Sequence, residues 1–404
     1  MKKTKNKILN DPIYGFITIP SELIYKIIEH PYFQRLRRIS QLGLSYLVFP
    51  GAHHTRFHHA IGAMHLMQKA VRVLKRKNIK ISNHESEALQ IAILLHDIGH
   101  GPFSHATENI ILKGVDHEYI SLKIIEKLND IFEKKLDLAL KIIKNEYHRK
   151  FMYQLISGQI DVDRLDFLKR DSFYTGVTEG NINSERIITM MDVKNENLVF
   201  EYKSIHSIEK FLLARRLMYW QVYLHKTSLV AELLLVKILE RYRELINSKK
   251  QKIDTNHPLE LLMYDNVNEN FDIVLLNKYL KLEDLDIFYL IKIWRKSSDN
   301  VLRKLCNQII DRKLPKIQVQ EIPFSDKDVS SRKKDFYNKY PNLDLNFFVY
   351  TGNISNQMYK TEHSQILIKT KTGEIIPLSN TIDYLDFDHF SKPIFQHYLC
   401  YPKE

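Results

Sequence analysis

Cysteine, glycine and proline are all scarce in this sequence, and it has no long apolar run. Cys306 and Cys400 are the two cysteines in 404 residues. Neither has metal-ligand spacing around it, so both are read as reduced bystanders in a cytosolic chain. Twelve glycines and twelve prolines are few for this length. They argue against an all-β sandwich and against a disordered chain. No apolar run is long enough to span a bilayer; even Leu229-Val230-Ala231-Glu232-Leu233-Leu234-Leu235-Val236 carries a glutamate. The basic stretch Met1–Lys7 is followed by Asp11-Pro12 rather than by an apolar signal core. The expected location is the cytoplasm, with no membrane partner.

What is present is ordinary in bulk: 44% hydrophobic and 27% charged residues. The length allows a large core and a prior of about two to three structural units. The net charge of +12 fits either a solvated basic surface or a polyanionic partner, such as a nucleotide or nucleic acid. Charge alone does not choose between them.

Helical periodicity runs through the first three quarters. The spacing predicts helices over Ile61–Leu74, Glu87–Leu95 (with Asn83 as N-cap), Tyr119–Leu128, Leu136–Ile143, Phe151–Leu168, Ser184–Met191, Ile205–Leu224 and Ser228–Ile246. A hairpin is expected over Asp192–Tyr202, turning at Asn195-Glu196-Asn197, and a polar loop over Gln251–Pro258. Helices continue to about Arg312. Short β-type runs then begin at Lys316, Phe347, Gln365 and Tyr398, with a hairpin turn at Lys371-Thr372-Gly373-Glu374. The fold class read from this is mainly α. Residues 1–312 are expected to form a helical domain, and residues 313–404 a small α+β appendage.

The densest chemistry lies in Leu94-Leu95-His96-Asp97-Ile98-Gly99-His100-Gly101-Pro102-Phe103-Ser104-His105. Imidazole and carboxylate are ordinary ligands for Mg, Mn, Fe or Zn. Burying so many ionisable groups unpaired is costly, so a purely structural role for the whole cluster is disfavoured. His96 and His100 are i, i+4, as in the zinc-peptidase pair His-Glu-x-x-His. Here, however, Asp97 replaces the general-base glutamate, and Gly99 and Gly101-Pro102 end the helix. Three further clusters could join it: His53-His54-Thr55-Arg56-Phe57-His58-His59, Asp116-His117-Glu118, and Asp161-Val162-Asp163-Arg164-Leu165-Asp166 with Asp171 beyond. Read alone, Asp116-His117-Glu118 is equally a helix N-cap with first-turn acids.

His59, His96-Asp97 and Asp163 match the signature of HD-domain metal-dependent phosphohydrolases. Phe49-Pro50-Gly51-Ala52, Arg56-Phe57-His58-His59, the His96–His105 run and Ile160-Asp161-Val162-Asp163 resemble the deoxynucleoside triphosphate triphosphohydrolase branch. That branch includes the SAM-and-HD-domain enzyme. The likeness covers roughly residues 7–230, without a SAM domain.

The resemblance implies a helical HD core, its metal core at about 45–230, in which His59, His96, Asp97 and Asp163 hold one divalent metal (Fe, Mn, Mg, Zn or Ni), with further Mg arriving on the nucleotide. It implies phosphate contacts from Arg56, Arg164 and Arg215, with His105 near the α-phosphate. His117 and Glu118 match the catalytic His-Glu pair, Glu108 is the acidic partner, and His100 is a second acid/base group. Gln41, Leu42 and Tyr223 match positions that read the deoxyribose, and Asp171 one near the 3′-hydroxyl. Departures gather here: Phe167 stands for a tyrosine, Tyr219 for a histidine, Leu224 for a glutamine and Arg164 for a lysine. Lys7, Asn10, Glu29, Gln34 and Arg37 match a guanine-nucleotide activator site, which implies a GTP or dGTP activator and a homo-oligomer, dimer or tetramer. The implied activity is hydrolysis of a dNTP to deoxynucleoside and inorganic triphosphate. Two alternatives stay open: an HD phosphohydrolase acting on another phosphoester, and an HD scaffold that binds single-stranded nucleic acid.

Overall fold

The computed structural model describes residues 7–248, 257–264, 271–356, 365–381 and 394–403. Residues 251–256 of the expected polar loop lie outside these, and Pro258 opens a helix, Pro258–Tyr264.

The centre of the molecule is the Arg56–Arg76 helix, packed against the Asn83–Leu95 and Val162–Thr175 helices. Its apolar positions Phe57, Ala60, Ile61, Met64, Met67, Val71 and Leu74 recur at helical spacing and are buried. The Asn83–Leu95 helix is buried from Ala88 to Leu95 without interruption, so it delivers His96 into the interior. Its N-cap is Ser82 rather than the expected Asn83. Ser82 Oγ accepts from Glu85 N, and Glu85 reaches back to Ser82 N in a capping box.

The helix expected over Phe151–Leu168 is two helices, Lys150–Ile156 and Val162–Thr175. Asp161 makes the break. One carboxylate oxygen accepts from Gly158 N at 2.8 Å, the other from Arg164 N at 2.7 Å. One side chain therefore stops the first helix and caps the second, which sets Asp163 in a first helical turn.

The helix expected over Ile205–Leu224 is α-helical only to Met218. Tyr219–Tyr223 is a π turn, a feature that gathers at functional sites. The Lys226–Asn247 helix follows.

Strands β1 (Ile8–Asp11) and β2 (Gly15–Thr18) form an N-terminal hairpin that sequence reading missed. The expected central hairpin is β3 (Met191–Lys194) and β4 (Asn197–Glu201). Its loop is the two residues Asn195 and Glu196, both at positive φ (50° and 58°), as a tight hairpin of matching twist requires. The later strands are β5 (Lys316–Gln320), β6 (Tyr350–Asn356), β7 (Leu367–Lys369), β8 (Ile375–Pro377) and β9 (Ile394–Tyr401). Strands β5, β9 and β6 make one antiparallel sheet. Strands β7 and β8 join the central hairpin, β4 pairing with β7 in parallel. Of the run Phe347–Tyr350, Phe347 closes a short 3-10 turn, Leu345–Phe347, and Tyr350 opens β6. No helix among the described residues is long and apolar enough to cross a membrane.

Candidate active site

Three helices and one turn converge on a cluster of imidazoles and carboxylates. His59 lies in the first turn of the Arg56–Arg76 helix, His96 caps the end of Asn83–Leu95, Asp97 follows it, and Asp163 opens Val162–Thr175. The ligating atoms of His59, His96 and Asp163 all lie within 4.8 Å of one another. His59 Nε2 is 3.0 Å and His96 Nε2 3.4 Å from the same oxygen, Asp163 Oδ1. Asp97 turns Oδ1 toward His96 Nε2 at 3.4 Å and Oδ2 toward His100 Nε2 at 3.5 Å.

The far ring nitrogens fix the tautomers. His96 Nδ1 lies 2.7 Å from the Ile93 carbonyl, which only accepts. His59 Nδ1 lies 2.8 Å from Asp166 Oδ2. Each Nδ1 therefore carries the proton, and each Nε2 aims a lone pair at carboxylate oxygen. Both Nε2 atoms are buried and make no well-directed hydrogen bond. Lone pairs and anionic oxygens that face each other call for a cation between them. The electrostatics express the same demand for a cation: without a metal, the carboxylates draw a proton onto each ring instead. Burial opposes charge on His59, but Asp163 and Asp166 outweigh it and push its pKa up to about 10. Burial likewise opposes charge on His96, yet Asp97 and Asp163 push it up to about 9. These residues fit a divalent metal.

A buried chain of charges holds the ligands. Arg170 donates Nε to Asp166 Oδ2 (2.9 Å), Nη2 to Asp166 Oδ1 (3.0 Å) and Nη1 to Asp11 Oδ2 (2.8 Å). Gly62 makes room for this: a Cβ there would fall 2.1 Å from Asp166 Oδ1 and 2.2 Å from Arg170 Nη2.

A cavity of about 400 Å³ opens beside the cluster, with Arg56, Asp97, His100, His117, Asp163 and Asp171 among its lining residues. His117 Nδ1 is 2.8 Å from Glu108 Oε1, and its ring stacks on His100 at 3.9 Å between centroids. Burial opposes charge on His117, and the Glu108 hydrogen bond outweighs it, so its pKa is raised.

The HD domain family model matches residues 56–192, and the HD associated region matches residues 182–271. Uncharacterized protein YwfO of Bacillus subtilis is 31% identical over all of this chain and 94% of its own length. The chain belongs to the HD-domain family. A solved phosphohydrolase from Bacteroides thetaiotaomicron is 44% identical, with a TM-score of 0.94 over 99% of this chain and 100% of that one. The deoxynucleoside triphosphate triphosphohydrolase SAMHD1 homolog of Dictyostelium discoideum is 31% identical over 56% of this chain and 47% of its own. The chicken SAMHD1 triphosphohydrolase is 29% identical over 58% and 45%. This chain thus spans under half the length of those triphosphohydrolases.

The HD fold gathers most of the expected site residues. Gln41, Leu42 and Tyr223 line the cavity with those already named. Asp171 accepts from Tyr223 Oη at 2.7 Å and pairs with buried His54 at 2.7 Å. Arg56 is engaged by Asp97 (2.7 Å) and Ser104 Oγ (2.9 Å). Arg164 turns back onto Asp161 and the Gly158 carbonyl. Arg215 is buried with Nε and Nη1 unpartnered; burial first, then neighbouring Arg164, lowers its pKa. Two adjacent guanidiniums, one unsatisfied, suit an anion. Glu118 is exposed in the first turn of the His117–Ile131 helix and is not among the cavity-lining residues, so the carboxylate on His117 is Glu108 alone of the two. The His105 side chain lies outside the described residues.

The helix ends at Leu95, just before the expected Gly99 and Gly101-Pro102 turn. The positive φ angles fall on Phe103 (54°) and Ser104 (44°), not on the glycines. Gly99 and Gly101 are needed for close approach instead. A Cβ on Gly99 would lie 2.3 Å from the His117 carbonyl, and one on Gly101 2.4 Å from Tyr279 Oη. At the surface, Arg37 Nε donates to Gln34 Oε1 (2.9 Å), and exposed Glu29 acts on Arg37 electrostatically. Lys7 lies over the Tyr25 ring, and exposed Asn10 sits in β1.

Sequence reading missed Asp11 and Arg170 as supports of the ligands. It also missed Glu232, which lines the cavity from the Lys226–Asn247 helix. The available signal was a lone carboxylate in an otherwise apolar run.

Proposed function

We propose that the chain is a metal-dependent phosphohydrolase that cleaves a dNTP to a deoxynucleoside and inorganic triphosphate. The observation that carries the reading is the pair of buried imidazole lone pairs aimed at Asp163 beside a cavity that also holds Arg56 and the His100–His117 stack. The names of the triphosphohydrolase relatives support the substrate class. His59, His96, Asp97 and Asp163 would hold the metal. When bound, it supplies a Lewis acid that neutralises phosphate charge and acidifies water.

The chain's own groups do the rest. Water oxygen attacks the α-phosphorus and gives its proton to His100, the bond from phosphorus to O5′ breaks, and O5′ takes a proton. His117 is the donor, because Glu108 holds its Nδ1 and raises its pKa. Arg56, Arg164 and Arg215 receive phosphate oxygens; His105 and Asp171 keep their implied places at the α-phosphate and the 3′-hydroxyl. Lys7, Asn10, Glu29, Gln34 and Arg37 form the guanine-nucleotide activator site of a cytoplasmic homo-oligomer.

A second reading, another phosphoester substrate, is favoured by Phe167 and Tyr219. Both line the cavity where hydroxyl and imidazole groups are expected. A nucleotide panel with Mg²⁺, Mn²⁺ or Fe²⁺ decides between them. Inorganic triphosphate is expected from at least one dNTP, and stepwise orthophosphate sinks the bond assignment. His96→Ala with Asp97→Ala is expected to remove both bound metal and turnover. GTP or dGTP added to the same assay, with light scattering, is expected to raise rate or mass; no response removes the activator site.

A further inference from the structure

Glu232 is a cavity-lining carboxylate that neither the HD ligand set nor the phosphate contacts use. It projects from the Lys226–Asn247 helix into the cavity shared by Gln41, Leu42, Gly43, Ser45 and Phe103. It is half-buried, and no ion pair or hydrogen bond to its carboxyl is found among the described residues. Burial alone pushes its pKa up to about 7. Gly43 makes the approach possible: a Cβ there would stand 3.2 Å from Glu232 Oε1, tighter than most such contacts. Nearby, Gln41 Oε1 is buried without a hydrogen-bond partner. A buried acceptor without a partner is costly until a ligand supplies a donor, and Glu232 lines the same cavity. Leu42 and Phe103 add apolar surface to the same wall, which suits a flat ring better than a sugar edge.

We infer that Glu232, with Gln41, forms a subsite that recognises a heterocycle through two adjacent N–H donors, the edge that guanine presents. Ionised, the carboxylate accepts both donors side by side, and those two bonds favour the ionised form. Thymine turns carbonyl oxygens toward the carboxylate and is repelled. Adenine and cytosine offer one amino donor beside a ring acceptor, and so leave one carboxylate oxygen facing a lone pair. The inference rests on the proposed nucleotide reading for its substrate. Its chemistry concerns binding of the base and is readable without hydrolysis.

The test uses the full chain supplied with Mn²⁺, wild type and Glu232→Gln, a replacement of nearly equal volume. Calorimetric binding of deoxyguanosine, deoxyadenosine, deoxycytidine and thymidine is measured beside kcat/KM for the four dNTPs. Wild type is expected to prefer the guanine member. Glu232→Gln is expected to lower the guanine-to-adenine ratio by about tenfold to a hundredfold, since its amide nitrogen turns a donor toward a donor. Glu232→Asp, which retracts the carboxylate, is expected to fall between them. Equal loss for all four bases overturns the subsite. So does an unchanged ratio in a variant whose melting temperature is intact. If wild type releases no triphosphate yet binds deoxyguanosine through Glu232, the subsite stands and the triphosphohydrolase reading fails.

Discussion

Arg170 carries two buried carboxylates, Asp11 and Asp166, and through Asp166 it orients the ligand His59. All four side chains are buried. Removing the cation leaves two uncompensated buried anions, whereas neutralising Asp166 leaves the packing but weakens the hold on His59. The two substitutions therefore separate. Arg170→Met is expected to cost about 3–5 kcal/mol of stability, read by urea unfolding. Asp166→Asn is expected to keep the fold and to lose about tenfold to a hundredfold in metal affinity, read by competition with a chelator. Unchanged metal affinity in Asp166→Asn would show that His59 is positioned by packing alone. The four metal-binding candidates were legible because their motif is dense and local. Arg170 was not, because its meaning depends on Asp11, which lies 159 positions away.

At the scale of the element, each helix that feeds the site is started by a side chain bound to its own backbone. Asp161 does this for Val162–Thr175, and Ser82 with Glu85 for Asn83–Leu95. Glu85 also accepts from Arg149 Nη1 and Tyr147 Oη, each at 3.0 Å. Burial opposes its charge, but Ser82, Arg149 and Tyr147 outweigh it and bring its pKa down to about 2. A carboxyl lowered on folding stabilises the native state above its unfolded pKa, near 4.5, and loses that contribution as pH falls toward 2. Glu85→Gln is expected to lower the melting temperature at pH 7 and to have progressively less effect from pH 4.5 downward. A difference that does not shrink with acid would assign the effect to the cap geometry rather than to charge.

Helix periodicity placed the elements, but their joints were hidden. The break at Gly158–Asp161 arises from one side chain satisfying two backbones, and the π turn closes on a bond from Leu224 N to the Tyr219 carbonyl, five residues back. Neither leaves a periodic trace, and the strands β1 and β2 are too short to announce themselves.

At the scale of the whole molecule, the last ninety or so residues bear directly on the helix that carries Glu232. Lys237 lies over the Tyr350 ring and Arg241 over Phe347, while the opposite end of the region returns as β7 to pair with β4 and links Lys369 to Asp192 at 2.7 Å. Phe347, Phe348, Leu399 and Cys400 are buried. A boundary at residue 312 follows from composition, where helix gives way to strand, but composition does not register a strand that crosses back into the first part. A chain ending at residue 312 would expose the far side of the Lys226–Asn247 helix and leave β4 with a bare edge. Each large apolar side chain so uncovered is worth about 1.5–3 kcal/mol. The shortened chain is therefore expected to melt more than about 5 °C below the full chain. Its loss should fall more on base discrimination than on metal content, because Glu232 shares the helix that loses support while His59, His96 and Asp163 do not. Calorimetry, metal analysis and the nucleotide panel read these separately. Identical melting of the two chains would make the C-terminal region an independent appendage, and equal loss of metal and discrimination would mean that it supports the whole HD core.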